Sequence, residues 1–249
     1  MLESPLKFGI LGPLEAQEAG QHLYIGSHKQ RVVLALLLCR ANRIVSTVAL
    51  DDAVWGATPP RTAHKNLQVY VSALRKTIGT GGPRLLHTPP GYTLRIEPEQ
   101  LDVLQFHKFV EAGRRAASAG DAVTAASLLG QAIRVWRGPV LPELASVPAI
   151  AAEAKRLWDQ YLYAYEDWAE TMVDLGHHVQ VVEGIDRLAR RYPFRERLRR
   201  CQLLALYRSG RPTEALAQFE ALRQLLAREL GLSPSPVLAR LYESILAGT

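Results

Sequence analysis

The texture of this chain changes once, near Glu97–Asp102, and that change limits what it can fold into. Before it, short apolar stretches alternate with Gly and Pro punctuation. Leu6–Leu11 and His22–Ile25 read as strands, broken by Gly12-Pro13 and Gly20. Lys29–Ala41 reads as a strongly apolar helix capped by Ser27. A short helix, Thr47–Trp55, stops before Gly56 and Pro59-Pro60, and a third runs from Thr62 to Ile78. Thr80-Gly81-Gly82-Pro83 must be loop. Arg84–His87 and Tyr92–Ile96 then form two strands joined across Thr88-Pro89-Pro90-Gly91.

From Leu101 onward strand signals vanish, and alanine, leucine and arginine dominate. Helices are expected over Val103–Ala119, Ala122–Trp136, Pro148–Leu175, Val179–Arg191, Arg195–Ser209, Thr213–Leu230 and Pro236–Leu246. Gly138 to Pro148 is the clearest internal loop. A repeat runs through this half: Gly176 and Gly210 stand 34 residues apart. The same shift aligns Val181 with Ala215, Ile185 with Phe219 and Leu188 with Leu222, and Gly120 brings in Ala125, Leu129 and Ala132 at equal offsets. A small residue after the glycine lets helices approach, and the large one four later fills the groove. That is tetratricopeptide logic. The proline that usually closes each unit occurs only as Pro193, so an all-α bundle without true repeats stays open. The fold class expected is an α+β helix-turn-helix with a wing over residues 1–97, then an all-α tetratricopeptide-like domain over 102–249, mainly α overall.

Charge adds a second constraint. The 249 residues carry a net charge of +6, with pI ≈ 9.5, which favours an anionic partner. Between Ala53 and Ile96 there is no acid, while Arg61, Lys65, Arg75, Lys76, Arg84 and Arg95 are basic. On a wheel with Leu67 at zero, Ala63, Tyr70, Val71, Leu74 and Ile78 fall between about 300° and 40°, the core arc. Arg61, Lys65, Gln68, Val69, Ser72, Arg75 and Lys76 fall between about 80° and 200°. Arginine and lysine suit phosphates or guanine edges, glutamine suits adenine, and Val69 suits a thymine methyl. The preceding helix and the Gly56–Pro60 turn complete a helix-turn-helix aimed at double-stranded DNA. The wing, Arg84 to Arg95, would follow the backbone or minor groove. Thr88 makes its tip neutral, with His87 and Arg95 nearby, so backbone contact is expected there. Tyr92 is expected to pack inward.

These residues resemble a known family. Arg61-Thr-Ala-His-Lys-Asn-Leu-Gln-Val-Tyr-Val-Ser-Ala-Leu-Arg-Lys followed by Leu86-His-Thr-Pro-Pro-Gly-Tyr resembles an OmpR-type winged helix. The variant is that of the Streptomyces antibiotic regulatory protein (SARP) family. Tyr192-Pro-Phe-Arg-Glu-Arg-Leu, Leu204-Ala-Leu-Tyr-Arg-Ser-Gly-Arg-Pro-Thr-Glu-Ala-Leu and Leu230-Gly-Leu-Ser-Pro-Ser-Pro resemble that family's bacterial transcriptional activation domain. The resemblance implies a pathway-specific activator of a secondary-metabolite (antibiotic) gene cluster. It further implies head-to-tail dimers on promoter direct repeats near the −35 element, and contact with RNA polymerase and its principal sigma factor. By motif position Lys65, Asn66, Gln68, Val69, Ser72 and Arg75 face DNA; the wheel selects all of these except Asn66. With Arg61, Lys76, His87, Thr88 and Arg95 they form the expected DNA-binding set. Many relatives carry arginine where Thr88 stands. Longer relatives append an ATPase module, and no G-x-x-x-x-G-K-[ST] loop occurs here, so a short stand-alone form is expected.

The remaining features point less sharply. Cys39 and Cys201 fall in apolar helices and read as free thiols in a reducing compartment. The longest apolar run, Val32 to Cys39, is far shorter than the ~20 residues a membrane span needs, and no signal-peptide layout opens the chain. A cytoplasmic, nucleoid-associated protein without membrane contact is expected. Seven arginines between Arg187 and Arg200 form either an ion-paired helix end or a polymerase- or DNA-facing patch. Adjacent His177 and His178 diverge on a helix. No Cys/His spacing suits zinc, so no metal and no cofactor are expected. Gly79 to Gly82 reads as a turn rather than a phosphate cradle. Trp136, Trp158 and Trp168 pack between helices or line a small-molecule pocket. With no G-x-S-x-G elbow or catalytic cluster, an enzyme is not expected. Alternatives to the activator are a tetratricopeptide-like interaction adaptor and a ligand-responsive regulator.

Overall fold

The computed structural model describes residues 6–79 and 84–248; the expected loop at 80–83 lies outside the described residues. β1 (Lys7–Gly9), β2 (Glu15–Glu18) and β3 (Gln21–His22) form an antiparallel sheet in that order. Strand β2 (EAQE) has little strand character in its sequence. It forms because Phe8 meets Ala16 across the ladder and both are buried.

Helix α1 (His28–Cys39) follows Ser27, whose N–H donates to Gln30 Oε1 at 2.6 Å. Every residue from Val32 to Cys39 is buried, so this helix is the centre of the N-terminal core. β4 (Val45–Ser46) leads into α2 (Thr47–Trp55), where Ser46 Oγ accepts from the Ala49 N–H at 3.1 Å. Then come α3 (Ala63–Ile78) and the hairpin β5 (Arg84–Thr88) and β6 (Gly91–Arg95). The sheet order is β4-β6-β5, all antiparallel. The two-residue β4 carries no sequence signal of its own; it is a strand because Val45 pairs with Tyr92 and Ser46 with Gly91. A Cβ on Gly91 would lie 1.9 Å from the Val45 carbonyl oxygen, so glycine is required for that approach.

A 3₁₀ turn at Pro98–Gln100 precedes α4 (Asp102–Ser118) and α5 (Ala122–Arg134). After a second 3₁₀ turn, Pro142–Leu144, come α6 (Pro148–Asp174), α7 (His178–Arg191), α8 (Glu196–Arg208), α9 (Pro212–Leu230) and α10 (Pro236–Ala247). By internal contacts the chain divides into two compact units. One holds the residues up to Glu111 together with Gln131–Leu162; the other holds Ala112–Gly130 and the chain from Tyr163 onward.

In the first unit Asp102 accepts from the backbone N–H groups of Ile10 (2.9 Å) and Leu11 (2.8 Å). Arg137 bridges Asp102 (3.3 Å) and Glu15 (2.6 Å), and its own N–H donates to the Leu11 carbonyl at 2.8 Å. Glu143 accepts from the Leu14 N–H and from Arg31, each at 2.8 Å. Trp136 packs edge-on against Phe106 and Trp158.

In the second unit the repeat is visible in the backbone. Gly120, Gly176 and Gly210 all have φ between +76° and +85°. After each, the next residue's N–H returns to the fourth residue before the glycine: Asp121 to Ala116, His177 to Met172, Arg211 to Leu206. This is one helix-closing motif used three times, and its left-handed residue suits glycine. The positions paired by the 34-residue shift, Val181 with Ala215, Ile185 with Phe219 and Leu188 with Leu222, are all buried. Trp168 packs against Tyr165, with ring centroids 5.3 Å apart.

Candidate nucleic-acid interface

Helix α3 divides into two faces. Ala63, Leu67, Val71, Leu74 and Ile78 are buried, while Tyr70 is half-buried and stacks on Trp55 of α2 at 6.2 Å. Burying a side chain of valine to leucine size contributes about 1.5–3 kcal/mol, so four such positions, Leu67, Val71, Leu74 and Ile78, fix the helix rotation. That rotation leaves Lys65, Gln68, Val69, Ser72, Arg75 and Lys76 exposed, with Arg61 exposed just before the helix. Val69 is 57% exposed, an apolar side chain surrounded by cations and hydrogen-bonding groups. Asn66 is only half-exposed, and its amide donates to Thr62 Oγ1 at 3.2 Å, which holds it at the start of the helix.

The wing sits beside this face. Arg84 pairs with Arg95, and Thr88 with Gly91, across the hairpin. Arg95 and His87 are exposed, and Thr88 is half-buried at the tip. The tip is fixed to α2: the Thr47 N–H donates to the Pro90 carbonyl at 3.1 Å. Tyr92 is buried and meets His87 edge-on at 5.3 Å. Arg75 links the two elements, with Nε donating to the Leu85 carbonyl of β5 at 2.8 Å. The contact uses one nitrogen of the guanidinium and leaves its terminal amino groups for a phosphate or a base edge.

Between helix and wing runs a groove of about 380 Å³ lined by His64, Gln68, Val71, Arg75, His87 and Tyr92. His64 is absent from the sequence-based set. It falls at about 60° on the wheel, between the two arcs. Its signal was the i, i+4 spacing to Gln68, whose amide nitrogen lies 3.3 Å from its Nε2.

The arginine-rich stretch resolves differently. Arg195 pairs with Glu166 (3.0 Å), Arg197 with Asp167 (2.7 Å) and Glu170, and Arg200 with Glu170 (2.5 Å). Arg199 is buried and donates to Gln202 at 3.0 Å, and Arg190 pairs with Asp186. These arginines tie α8 to α6 or close local helix contacts. Arg187 is exposed and makes no ion pair among the described residues. Both cysteines are free and buried, and burial pushes each thiol up to about 12. Among the described residues no group of three or more His, Cys, Asp or Glu is placed to hold a metal, and no helix is long and apolar enough to cross a membrane.

A helix-turn-helix with an antiparallel wing and a cationic, acid-free exposed face, followed by stacked helix pairs, defines a winged-helix transcriptional regulator. Comparison with known proteins agrees. Residues 21–94 match the model of the transcriptional regulatory protein C-terminal family, and residues 101–246 match that of the bacterial transcriptional activator domain. The chain is 40% identical over 244 residues to the regulatory protein AfsR of Streptomyces coelicolor, which covers 97% of this chain and 24% of AfsR. It is 34% identical to the regulatory protein DnrI of Streptomyces peucetius, covering 97% of this chain and 92% of DnrI. A solved structure of Mycobacterium tuberculosis EmbR in complex with a low-affinity phosphopeptide superposes with a TM-score of 0.92 at 35% identity, over 99% of this chain and 66% of that one. The chain thus spans about a quarter of AfsR and two thirds of the EmbR chain. It belongs to the Streptomyces antibiotic regulatory protein family of DNA-binding transcriptional regulators.

Proposed function

We propose that this protein activates transcription of a secondary-metabolite (antibiotic) biosynthetic gene cluster. Residues 1–97 bind promoter direct repeats beside the −35 element as a head-to-tail dimer, and residues 102–249 recruit RNA polymerase and its principal sigma factor. It acts in the cytoplasm on the nucleoid, without enzymatic activity. The observation that carries this reading is the exposed face of α3. Lys65, Gln68, Val69, Ser72 and Arg75 line one side with no carboxylate among them, and His87 of the wing lines the same groove as Gln68 and Arg75. Such a face combines phosphate binding with base-edge readout.

Footprinting on promoters adjacent to the protein's own gene tests it. Two protected segments about one helical turn apart (~10–10.5 bp) beside the −35 region are expected. A single isolated footprint, or none, overturns the repeat-bound dimer. Lys65→Ala is expected to weaken every sequence alike and to lower the salt slope by about one. A sequence-selective loss would instead move Lys65 from phosphate to base contact.

A further inference from the structure

Behind the wing, the first unit holds a second cationic feature. A recess of about 470 Å³ lies among the loop after α1, the start of α4 and the first half of α6. Its polar wall holds Arg40, Arg43, Arg156, Glu153 and His107. Glu153, whose side chain is 12% exposed, accepts from Nε of Arg40 and Nε of Arg156, each at 2.8 Å. Those are the only side-chain hydrogen bonds of these two arginines among the described residues. Their terminal amino groups therefore keep their donors free, and Arg43 is exposed with no ion pair among the described residues. Three arginines and one glutamate thus line the recess, a local charge of +3 − 1 = +2. Burial holds the His107 imidazole below its ordinary range, and its Nε2 lies 3.0 Å from Gln160 Oε1. Opposite lie apolar side chains, Val103, Leu104 and the 49% exposed Ile44.

We propose that this recess binds a small phosphate-bearing organic molecule. The dianionic phosphate would be held by the free guanidinium edges of Arg40, Arg43 and Arg156, with its organic body against Ile44 and Leu104. Planar guanidinium groups suit a phosphate because they offer paired donors and remain charged at any accessible pH. The volume matches that of small-ligand sites, and an uncompensated charge of two protons matches a phosphate monoester. The position also connects the recess to the wing. Between Arg40 and Arg43, Asn42 takes a left-handed conformation (φ 63°) and grips β6 and the residue after it. Its N–H donates to the Leu94 carbonyl at 2.9 Å, and its side chain exchanges two hydrogen bonds with Ile96 at 2.9 and 3.0 Å. An occupant held by Arg40 and Arg43 therefore bears on the loop that anchors the wing. This site stands on its own residues, whether or not α3 reads DNA.

Calorimetric titration of the full chain without DNA tests it, using adenosine 5′-monophosphate, inorganic phosphate and adenosine as probes. Saturable binding of the monophosphate is expected, with weaker binding of phosphate and none of adenosine. Arg43→Ala, which removes an exposed side chain with no ion pair among the described residues, should leave the melting temperature unchanged and weaken the monophosphate roughly tenfold or more. Arg75→Ala, on the α3 face, should leave that binding intact. Three results would overturn the proposal. One is no saturable binding at millimolar concentration. The second is binding that survives Arg43→Ala but is lost in Arg75→Ala, which would place the anion on the α3 face. The third is an Arg43→Ala variant that weakens duplex DNA alone, which would make the recess part of the DNA contact.

Discussion

Arg75 is claimed by two partners at once. From sequence it is a base- or phosphate-reading side chain at the edge of the exposed arc, and in the fold its Nε is already bonded to the Leu85 carbonyl. The two roles are compatible, because a side chain tethered at Nε loses less rotamer freedom when its terminal amino groups meet DNA. Arg75→Ala should therefore register twice. DNA affinity should fall by ~1–3 kcal/mol, and stability by about 1 kcal/mol through the lost helix–wing tie. Gel shifts paired with thermal melts check this; an unchanged melt would mean that the tie contributes nothing. Gly91→Ala probes the other side of the wing. Its Cβ would collide with the backbone of β4, which cannot rotate away. A cost of roughly 1–3 kcal/mol is expected, or about 2–12 °C in melting temperature for a chain of this size. Differential scanning calorimetry would show it, and an unaltered melt would mean that the hairpin shifts freely against β4.

At the scale of elements, legibility followed the origin of each signal. The end of helix α2 at Trp55 was readable because Gly56 and Pro59-Pro60 stop it, and the structure starts the helix at Thr47 with Ser46 as its cap. The amphipathic face of α3 was readable because its apolar residues repeat at helical spacing. Strands β2 and β4 were not, since Glu15–Glu18 and Val45–Ser46 become strands only through partners distant in sequence. Neither could the sequence place the acids that α8 meets. Arg195, Arg197 and Arg200 read either as an ion-paired helix end or as a surface patch, and only the fold sets Glu166, Asp167 and Glu170 of α6 opposite them.

That network makes a pH prediction. Burial raises the Glu170 carboxyl, but hydrogen bonds from Arg197 and Arg200 outweigh burial and leave it below its ordinary value of 4.5. A carboxyl depressed in the folded state stabilises fully above its unfolded pKa, and that stability is lost as pH falls through the folded value. Glu166 goes the other way, raised by its deeper burial despite Arg195 and Arg197, so its linkage opposes this acid limb. Glu170→Gln should cost about 1–3 kcal/mol at neutral pH, and its deficit against wild type should shrink below pH 4.5. Paired melts from pH 7 to 3 measure this; a deficit constant with pH would detach Glu170 from the acid response.

At the scale of the whole molecule, the texture change near Glu97–Asp102 marks where strands end, but not where the N-terminal core ends. The first compact unit reaches past it to Glu111 and takes in Gln131–Leu162. The bonds responsible span about 90 to 130 positions in sequence: Asp102 with the N–H groups of Ile10 and Leu11, Arg137 with Glu15, and Glu143 with Leu14 and Arg31. Charged residues scattered at such separations have no periodicity to read. The consequence is testable. A fragment of residues 1–97 keeps every element of the helix-turn-helix and wing but loses the carboxylates of Asp102 and Glu143. Each lost acceptor to a backbone N–H costs roughly 1–3 kcal/mol. Two such losses at ~4–8 °C per kcal/mol in a domain of that size lower the melting temperature by about 10 °C or more. A fragment of residues 1–162 restores all of these partners and should melt well above the shorter one. Equal melting of the two, followed by circular dichroism, would show that the DNA-binding half carries its own stability and that the contacts from α4 and beyond are incidental to it.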